Sequence, residues 1–285
     1  MITSLIKPLR AAAGRLLASR GYLLAPIEEW HHVRTMRNVH RGDVIEIENL
    51  YRSFVFPDLP RNPARADSLH NLHGTSVGEA IYIVEGLSRA MNVAGDVCEF
   101  GCNEGATSRL LADEIAPDDK RLLWLFDSFE GLPAPTEQDR LIDDIAGLGS
   151  IERYQGVLLA REDQVRDKLA LVKFPENRIR LVKGWLDKTL TSAAVGPLDK
   201  IAFAYIDLDF CEPIKISLAF VHGKMPVGGV IVVDDYGFFS EGAKLSVDEF
   251  LAAHPGCYDM KLPIEAAGKF CVLTKIAGVS PLRAG

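Results

Sequence analysis

Ile201-Ala202-Phe203-Ala204-Tyr205-Ile206-Asp207-Leu208-Asp209 is a six-residue apolar run that ends abruptly in two acids. A second stretch repeats the pattern: Gly229-Val230-Ile231-Val232-Val233 runs straight into Asp234-Asp235. Continuous apolar, β-branched runs of this length fit strands buried on both faces of a parallel sheet. Acids at their ends place four carboxylates at the carboxyl edge of neighbouring strands. Such groups repel one another, and a divalent cation is the simplest agent that would neutralise them.

Working outward from these runs, strand and helix patterns alternate from residue 96 onward. Strands are predicted over 96–101, 121–127, 178–183, 200–207 and 229–234, with helices at 151–171, 186–194, 213–224 and 242–254 between or after them. A further helix starts near Gly105 and carries Leu110, Leu111 and Ile115, and one over 77–93 leads into the unit. Two closing strands, 258–264 and 269–275, have no helix between them and predict an antiparallel hairpin at one edge. The βαβα order implies an α/β fold, a doubly wound, mostly parallel, Rossmann-like sheet of seven strands with an antiparallel edge strand. Ligands of such sheets sit at the carboxyl ends of the strands.

Two further features fall at those ends. Glu99-Phe100-Gly101-Cys102-Asn103-Glu104-Gly105 joins the first strand to its helix. Gly101 suits a tight turn, and Gly105 suits close approach of a ligand to the helix start. The spacing is not the dinucleotide fingerprint, and an acid ahead of the first glycine favours an amine or hydroxyls over phosphates. A structural strand-to-helix turn is the alternative. Asp127 closes the second strand, where an acid can accept from both hydroxyls of a ribose or simply cap the next segment.

The 285 residues are 48% hydrophobic, enough for a full core. A net charge of −7 argues against a nucleic-acid surface. The five cysteines form no CxxC and no zinc spacing, which predicts buried free thiols in a reducing, cytoplasmic setting. The seven histidines show no metal spacing either. No apolar stretch reaches the length of a transmembrane segment. Between Met1 and Trp30, leucines at 5, 9, 16 and 17 share one helical side with Lys7, Arg10, Arg15 and Arg20 interspersed. This basic amphipathic stretch is expected against the body or another subunit, with an anionic membrane as the other option.

Val97-Cys98-Glu99-Phe100-Gly101-Cys102-Asn103-Glu104-Gly105 resembles the first motif of class I S-adenosylmethionine-dependent methyltransferases. Asp127-Ser128-Phe129-Glu130-Gly131-Leu132-Pro133, Asp207-Leu208-Asp209-Phe210 and the segment from Pro226 to Tyr236 resemble the TylF/MycF/NovP-like (macrocin O-methyltransferase) group of sugar O-methyltransferases. The ordered likeness runs from about Gly74 to Phe250.

The resemblance implies S-adenosylmethionine and Mg²⁺ as cofactors, and a small-molecule hydroxyl acceptor, a sugar or glycoside. It implies that Asp207, Asp234 and Asp235 ligate the metal and that Asp209 is the general base. Glu99, Gly101, Asn103 and Gly105 would hold the methionine portion, Asp127 the ribose, and Ser128, Phe129, Gly184 and Trp185 the adenosine, with Asp207 also beside the cofactor. It further implies a helical N-terminal lid or oligomerisation segment over 1–73, a methyltransferase domain over 74–285, and a homo-oligomer. Cys211 and Pro213-Ile214 depart from the group's pattern beside the expected acceptor site. A metal-dependent catechol or phenol O-methyltransferase and a non-catalytic cofactor-binding scaffold are the competing readings.

Overall fold

The computed structural model describes residues 41–278. The predicted amphipathic stretch at the N-terminus, together with Trp30, His31, His32 and His40, lies outside the described residues.

Helix α1 (Arg41–Phe54) presents Val44 and Tyr51, seven residues apart on one stripe, to the body. The short helix α2 (Arg65–His70) follows it. Arg65 is fully buried, and its guanidinium grips Glu114 through two bonds of 2.7 and 2.9 Å and Glu48 of α1 through a third of 2.8 Å. A planar fork matched to a carboxylate in this way satisfies a charge that could not otherwise be buried.

Helix α3 (Val77–Ala90) begins at Ser76, whose hydroxyl accepts the Glu79 N–H at 3.0 Å. Nearly every side of it is apolar because it lies flat on the sheet. A Cβ added at Gly86 would come within 3.1 Å of Val230 and 3.3 Å of Phe203. The small residue lets the helix close on the strands.

The remaining elements are β1 (Asp96–Phe100), α4 (Ala106–Ile115), β2 (Leu123–Asp127), α5 (Glu162–Leu171), β3 (Ile179–Lys183), α6 (Leu186–Thr189), β4 (Ile201–Ile206), α7 (Cys211–Lys224), β5 (Val230–Val233), α8 (Glu241–Ala253), β6 (Tyr258–Lys261) and β7 (Cys271–Lys275). They form one seven-stranded sheet in the order β3-β2-β1-β4-β5-β7-β6. The first five strands are parallel, and β7 runs antiparallel to both β5 and β6. The predicted hairpin therefore closes one edge, with β6 outermost.

Both faces of the sheet are covered, which is why β4 is buried along its whole length. Phe100 and Phe126 stack at 4.7 Å, Trp124 stacks on Phe126 at 6.3 Å, and Phe220 of α7 meets this ladder edge-on. Burying each such side chain stabilises the fold by roughly 1.5–3 kcal/mol. All five cysteines are buried and free. Strand order reverses at β1, which pairs with β2 on one side and β4 on the other, so a crevice opens at the carboxyl ends there.

The predicted helix over 151–171 is broken. Residues Ile151–Tyr154 make one 3-10 turn, and the α-helix starts only at Glu162. Gly156 and Leu158 adopt left-handed φ values of 76° and 62° between them. The physical cause is a second small core in which Ile151 and Tyr154 pack with Leu132, Phe210 and Phe239. That core draws the chain over the long β2–α5 connection rather than along a helix axis. The predicted 186–194 helix likewise shortens to α6 and a separate 3-10 turn at Ala193–Val195.

Candidate active site

A cleft runs across the carboxyl ends of β1, β2 and β4, its open space about 680 Å³ with the mouth included. Gly101 sits at its floor with φ +84°, and a Cβ there would lie 1.8 Å from the Asp207 carbonyl oxygen. Only glycine lets the end of β1 abut the end of β4. Asp127 stands at the end of β2. One of its oxygens accepts the Asn103 N–H at 2.9 Å and the other accepts the Phe129 N–H at 2.7 Å. This carboxylate therefore braces the two loops that flank the crevice. Burial raises its pKa, and the amides of Phe129, Asn103 and Cys102 together with the Cys102 thiol counter that shift.

Seven of the residues expected around the cofactor line this cleft: Gly101, Asn103, Asp127, Ser128, Gly184, Trp185 and Asp207. Three do not. Glu99 is 1% exposed and accepts from Ser108, beneath the floor. Burial pushes its carboxyl up to about 8, with Asp127 adding to the shift and the Ser108 bond opposing it. Gly105, at φ +81°, packs against helix α5, where a Cβ would fall 2.9 Å from Val165 Cα. Phe129, also left-handed at φ 56°, has a buried ring with the Lys183 ammonium 5.9 Å from its centre.

At the β4 side of the cleft, Asp207, Asp209 and Asp235 each offer an oxygen within 4.8 Å of the others. Asp209 and Asp235 hold left-handed backbones, φ 63° and 57°. Non-glycine residues persist there only when their surroundings over-determine them, and such strain gathers at functional sites. Asp234 lies beside this group without joining it: its oxygens accept the Asp235 N–H at 2.7 Å and the Tyr205 hydroxyl at 3.4 Å, and Asp207 shares that hydroxyl at 3.3 Å. Among the expected metal ligands, Asp207 and Asp235 thus come together with Asp209, and Asp234 is their immediate neighbour.

Burial raises the pKa of every member of this group. Asp234 and Asp209 add to the effect at Asp207, and Asp234, Asp209 and Asp207 do so at Asp235. Burial carries Asp209 up to about 7, its bond with Asp235 opposing the shift and Asp234 adding to it. An all-carboxylate donor set under mutual repulsion fits a hard divalent cation.

Glu79 and Tyr205 were not legible as site residues. The Tyr205 hydroxyl lies 3.1 Å from Glu79, 3.3 Å from Asp207 and 3.4 Å from Asp234, and supports the cluster from behind. Ser76-x-x-Glu79 reads as a capping box, yet only its serine half caps the helix while the glutamate turns inward. The cleft has an apolar wall of Leu132, Pro133, Leu158, Leu208 and Pro213. Of the departures flagged in the sequence, Pro213 lines the cleft and Ile214 is core. Cys211 is fully buried with its sulfur 2.9 Å from Gln138 Oε1, so it faces the β2–α5 connection.

The family model for macrocin-O-methyltransferase (TylF) matches residues 83–273. Demethyldecarbamoylnovobiocin O-methyltransferase of Streptomyces niveus is 32% identical over 165 residues, 56% of this chain and 60% of that protein. The 8-demethyl-8-(2,3-dimethoxy-alpha-L-rhamnosyl)-tetracenomycin-C 4'-O-methyltransferase of Streptomyces olivaceus is 28% identical over 149 residues, 52% and 55% of the two chains. The chain thus spans somewhat more than half the length of the curated relatives it matches. Among solved structures, the O-methyltransferase NovP has a TM-score of 0.61 at 22% identity, covering 82% of this chain and 98% of that one. CalS11, a calicheamicin methyltransferase, has a TM-score of 0.56 at 17% identity, covering 90% and 95%. Likeness at this level of identity speaks for the fold alone.

Proposed function

We propose that this chain, which belongs to the macrocin O-methyltransferase (TylF) family, moves the methyl group of S-adenosylmethionine to a hydroxyl of a sugar or glycosylated natural product. One observation carries the reading: the carboxylates of Asp207 and Asp209 belong both to the cleft that suits an adenosine and to the cluster that suits a cation. Donor and acceptor sites therefore share a wall.

The cofactor's ribose would be held by Asp127, its adenosine bordered by Ser128, Gly184 and Trp185, and its methionine end seated over Gly101 and Asn103. Leu132, Leu208 and Pro213 supply an apolar wall that excludes water beside the sulfonium. Asp207 and Asp235, with Asp234 beside them, would hold a Mg²⁺ ion. Bound there, the ion would lower the pKa of a coordinated hydroxyl. Asp209 is the proposed base. Its carboxylate stands in the same corner as Asp207 and Asp235, within reach of a hydroxyl bound there. In the reaction the acceptor oxygen forms the new C–O bond, the S–CH₃ bond breaks, S-adenosylhomocysteine leaves, and the hydroxyl proton passes to Asp209. In-line approach of oxygen to carbon at about 3 Å is the geometric demand.

The names of the curated relatives and the TylF match favour a glycoside over a phenol as acceptor. The test is release of S-adenosylhomocysteine from S-adenosylmethionine with a panel of deoxyhexose glycosides, nucleotide-linked deoxyhexoses and catechol, in Mg²⁺ and in EDTA. Mg²⁺-dependent turnover of a sugar hydroxyl is expected. Turnover of catechol alone would overturn the acceptor class, and equal rates in EDTA would overturn the metal.

A further inference from the structure

Residues 128–150 connect β2 to the 3-10 turn at Ile151–Tyr154 and wall one side of the cleft. One buried carboxylate ties this connection to the chain behind Asp209. Asp139 is 2% exposed. Its Oδ1 accepts the Cys211 N–H at 2.7 Å, and its Oδ2 accepts the N–H and the hydroxyl of Thr136, both at 2.8 Å. Cys211 is the first residue of α7, and Phe210 before it has no side chain that can cap. The helix start is thus satisfied by an acid from 72 positions upstream. A carboxylate at that end also suits the helix dipole.

Gly242 bears independent witness to the contact. It lies in α8 with an ordinary helical backbone, so nothing in its conformation asks for glycine. A Cβ there would fall 2.0 Å from Asp139 Oδ1 and 2.9 Å from the Cys211 nitrogen. The connection is stitched to both neighbours elsewhere: to the turn before α8 by Glu241 N–H to the Arg140 carbonyl at 2.9 Å and Ile142 N–H to the Phe239 carbonyl at 3.0 Å, and to α7 by Cys211 Sγ to Gln138 Oε1 at 2.9 Å. Between them sits Asp209, left-handed at φ 63°, its carbonyl accepting the Ser240 hydroxyl at 2.8 Å. A residue with a Cβ keeps that backbone only while both flanks are held.

We propose that Asp139 is the positioning residue for Asp209: it clamps residues 136–142 onto the start of α7 and so fixes the backbone that carries the Asp209 carboxylate into the cleft. The clamp stands on contacts alone, and its consequence for catalysis rests on the role proposed above for Asp209. Without Asp139, the Cys211 and Thr136 amides lose their acceptor inside the protein, and the 209–211 turn is free to relax.

Three variants test this in the full chain: Asp139→Asn, Asp139→Ala and Gly242→Ala. An asparagine has one acceptor oxygen and can serve Cys211 or Thr136 but not both. The alanine at 242 displaces the carboxylate while leaving Asp139 in place. Alkylation by iodoacetamide, mapped by peptide mass spectrometry, reads Cys211 against Cys98 and Cys271, which are equally buried in the sheet. Mn²⁺ affinity by electron paramagnetic resonance and S-adenosylhomocysteine affinity by calorimetry are read on the same samples.

Asp139→Ala and Gly242→Ala should label at Cys211 about 10-fold faster than wild type with Cys98 and Cys271 unchanged. They should lose about 10-fold in turnover of the sugar acceptor, because the proposed base is displaced, and keep Mn²⁺ and S-adenosylhomocysteine affinities each within about 3-fold. Asp139→Asn should fall between. Cys211 staying protected, all three cysteines labelling together in both Asp139→Asn and Gly242→Ala, or Mn²⁺ and cofactor affinities falling in parallel would overturn the proposal. If the wild type binds no Mn²⁺, the metal reading has failed, and the Cys211 labelling ratio alone decides the clamp.

Discussion

Replacing Asp209 with asparagine should make the metal-free protein more stable, and increasingly so as the pH rises. Asp209 is 8% exposed and shares its corner with Asp207 and Asp235. Burial lifts its carboxyl from the ordinary 3.8 to about 7. The folded chain then holds a proton through a window in which the unfolded chain has released it. The Asp209 contribution to stability therefore falls with rising pH between about 4 and about 7 and is flat above. Asparagine has no charge to bury, and its amide can still bond Asp235. With each pH unit worth somewhat over about 1 kcal/mol, the advantage of Asp209→Asn grows by roughly 2–3 kcal/mol between pH 5 and pH 8. That widening corresponds to roughly 5–10 °C in Tm for a domain of this size. Thermal unfolding of both proteins in EDTA across pH 5–8 reads it directly, and the same variant should lose turnover. Parallel Tm curves would refute the claim that Asp209 is a carboxyl held against ionisation by its surroundings.

Three other substitutions separate structural from functional roles. Glu99→Gln should leave stability at pH 7 within about 1 kcal/mol of wild type by urea titration, because a buried acid lifted to about 8 is already neutral and glutamine copies its shape; a loss above about 3 kcal/mol would show that the charged form is needed. Gly105→Ala should cost about 2–3 kcal/mol from its left-handed φ and its contact with Val165. S-adenosylhomocysteine affinity measured well below its Tm should stay within about 3-fold, and a selective loss of affinity would return Gly105 to the ligand site. Arg65→Ala should cost about 3–5 kcal/mol, since it strands Glu114 and Glu48 without their partner; a chemical denaturation midpoint equal to wild type would contradict that.

The fold was legible because its strands obey one rule. Val230–Val233 and Ile201–Ile206 are apolar on both faces, and acids mark where each leaves the sheet. The hairpin at the edge followed from the missing helix between β6 and β7. Residue 151 was misread because Ile151 and Tyr154 belong to a core built from distant partners, Phe210 and Phe239, which no local period reveals. The cleft residues at strand ends were found because sheet topology brings such ends together. A motif gives spacing but not depth, so the sequence did not show that Glu99 is buried against Ser108 or that Gly105 packs against Val165. Asp139, Glu79 and Tyr205 gave no signal, since each acts through a partner tens of residues away.

The most direct test of the account is a crystal structure with S-adenosylhomocysteine and Mn²⁺, read by anomalous scattering. The account predicts one strong peak bounded by Asp207 and Asp235, with the cofactor's ribose on Asp127 and its sulfur turned toward that peak. Mn²⁺ bound elsewhere, or the cofactor seated away from the β1–β4 crevice, would contradict it.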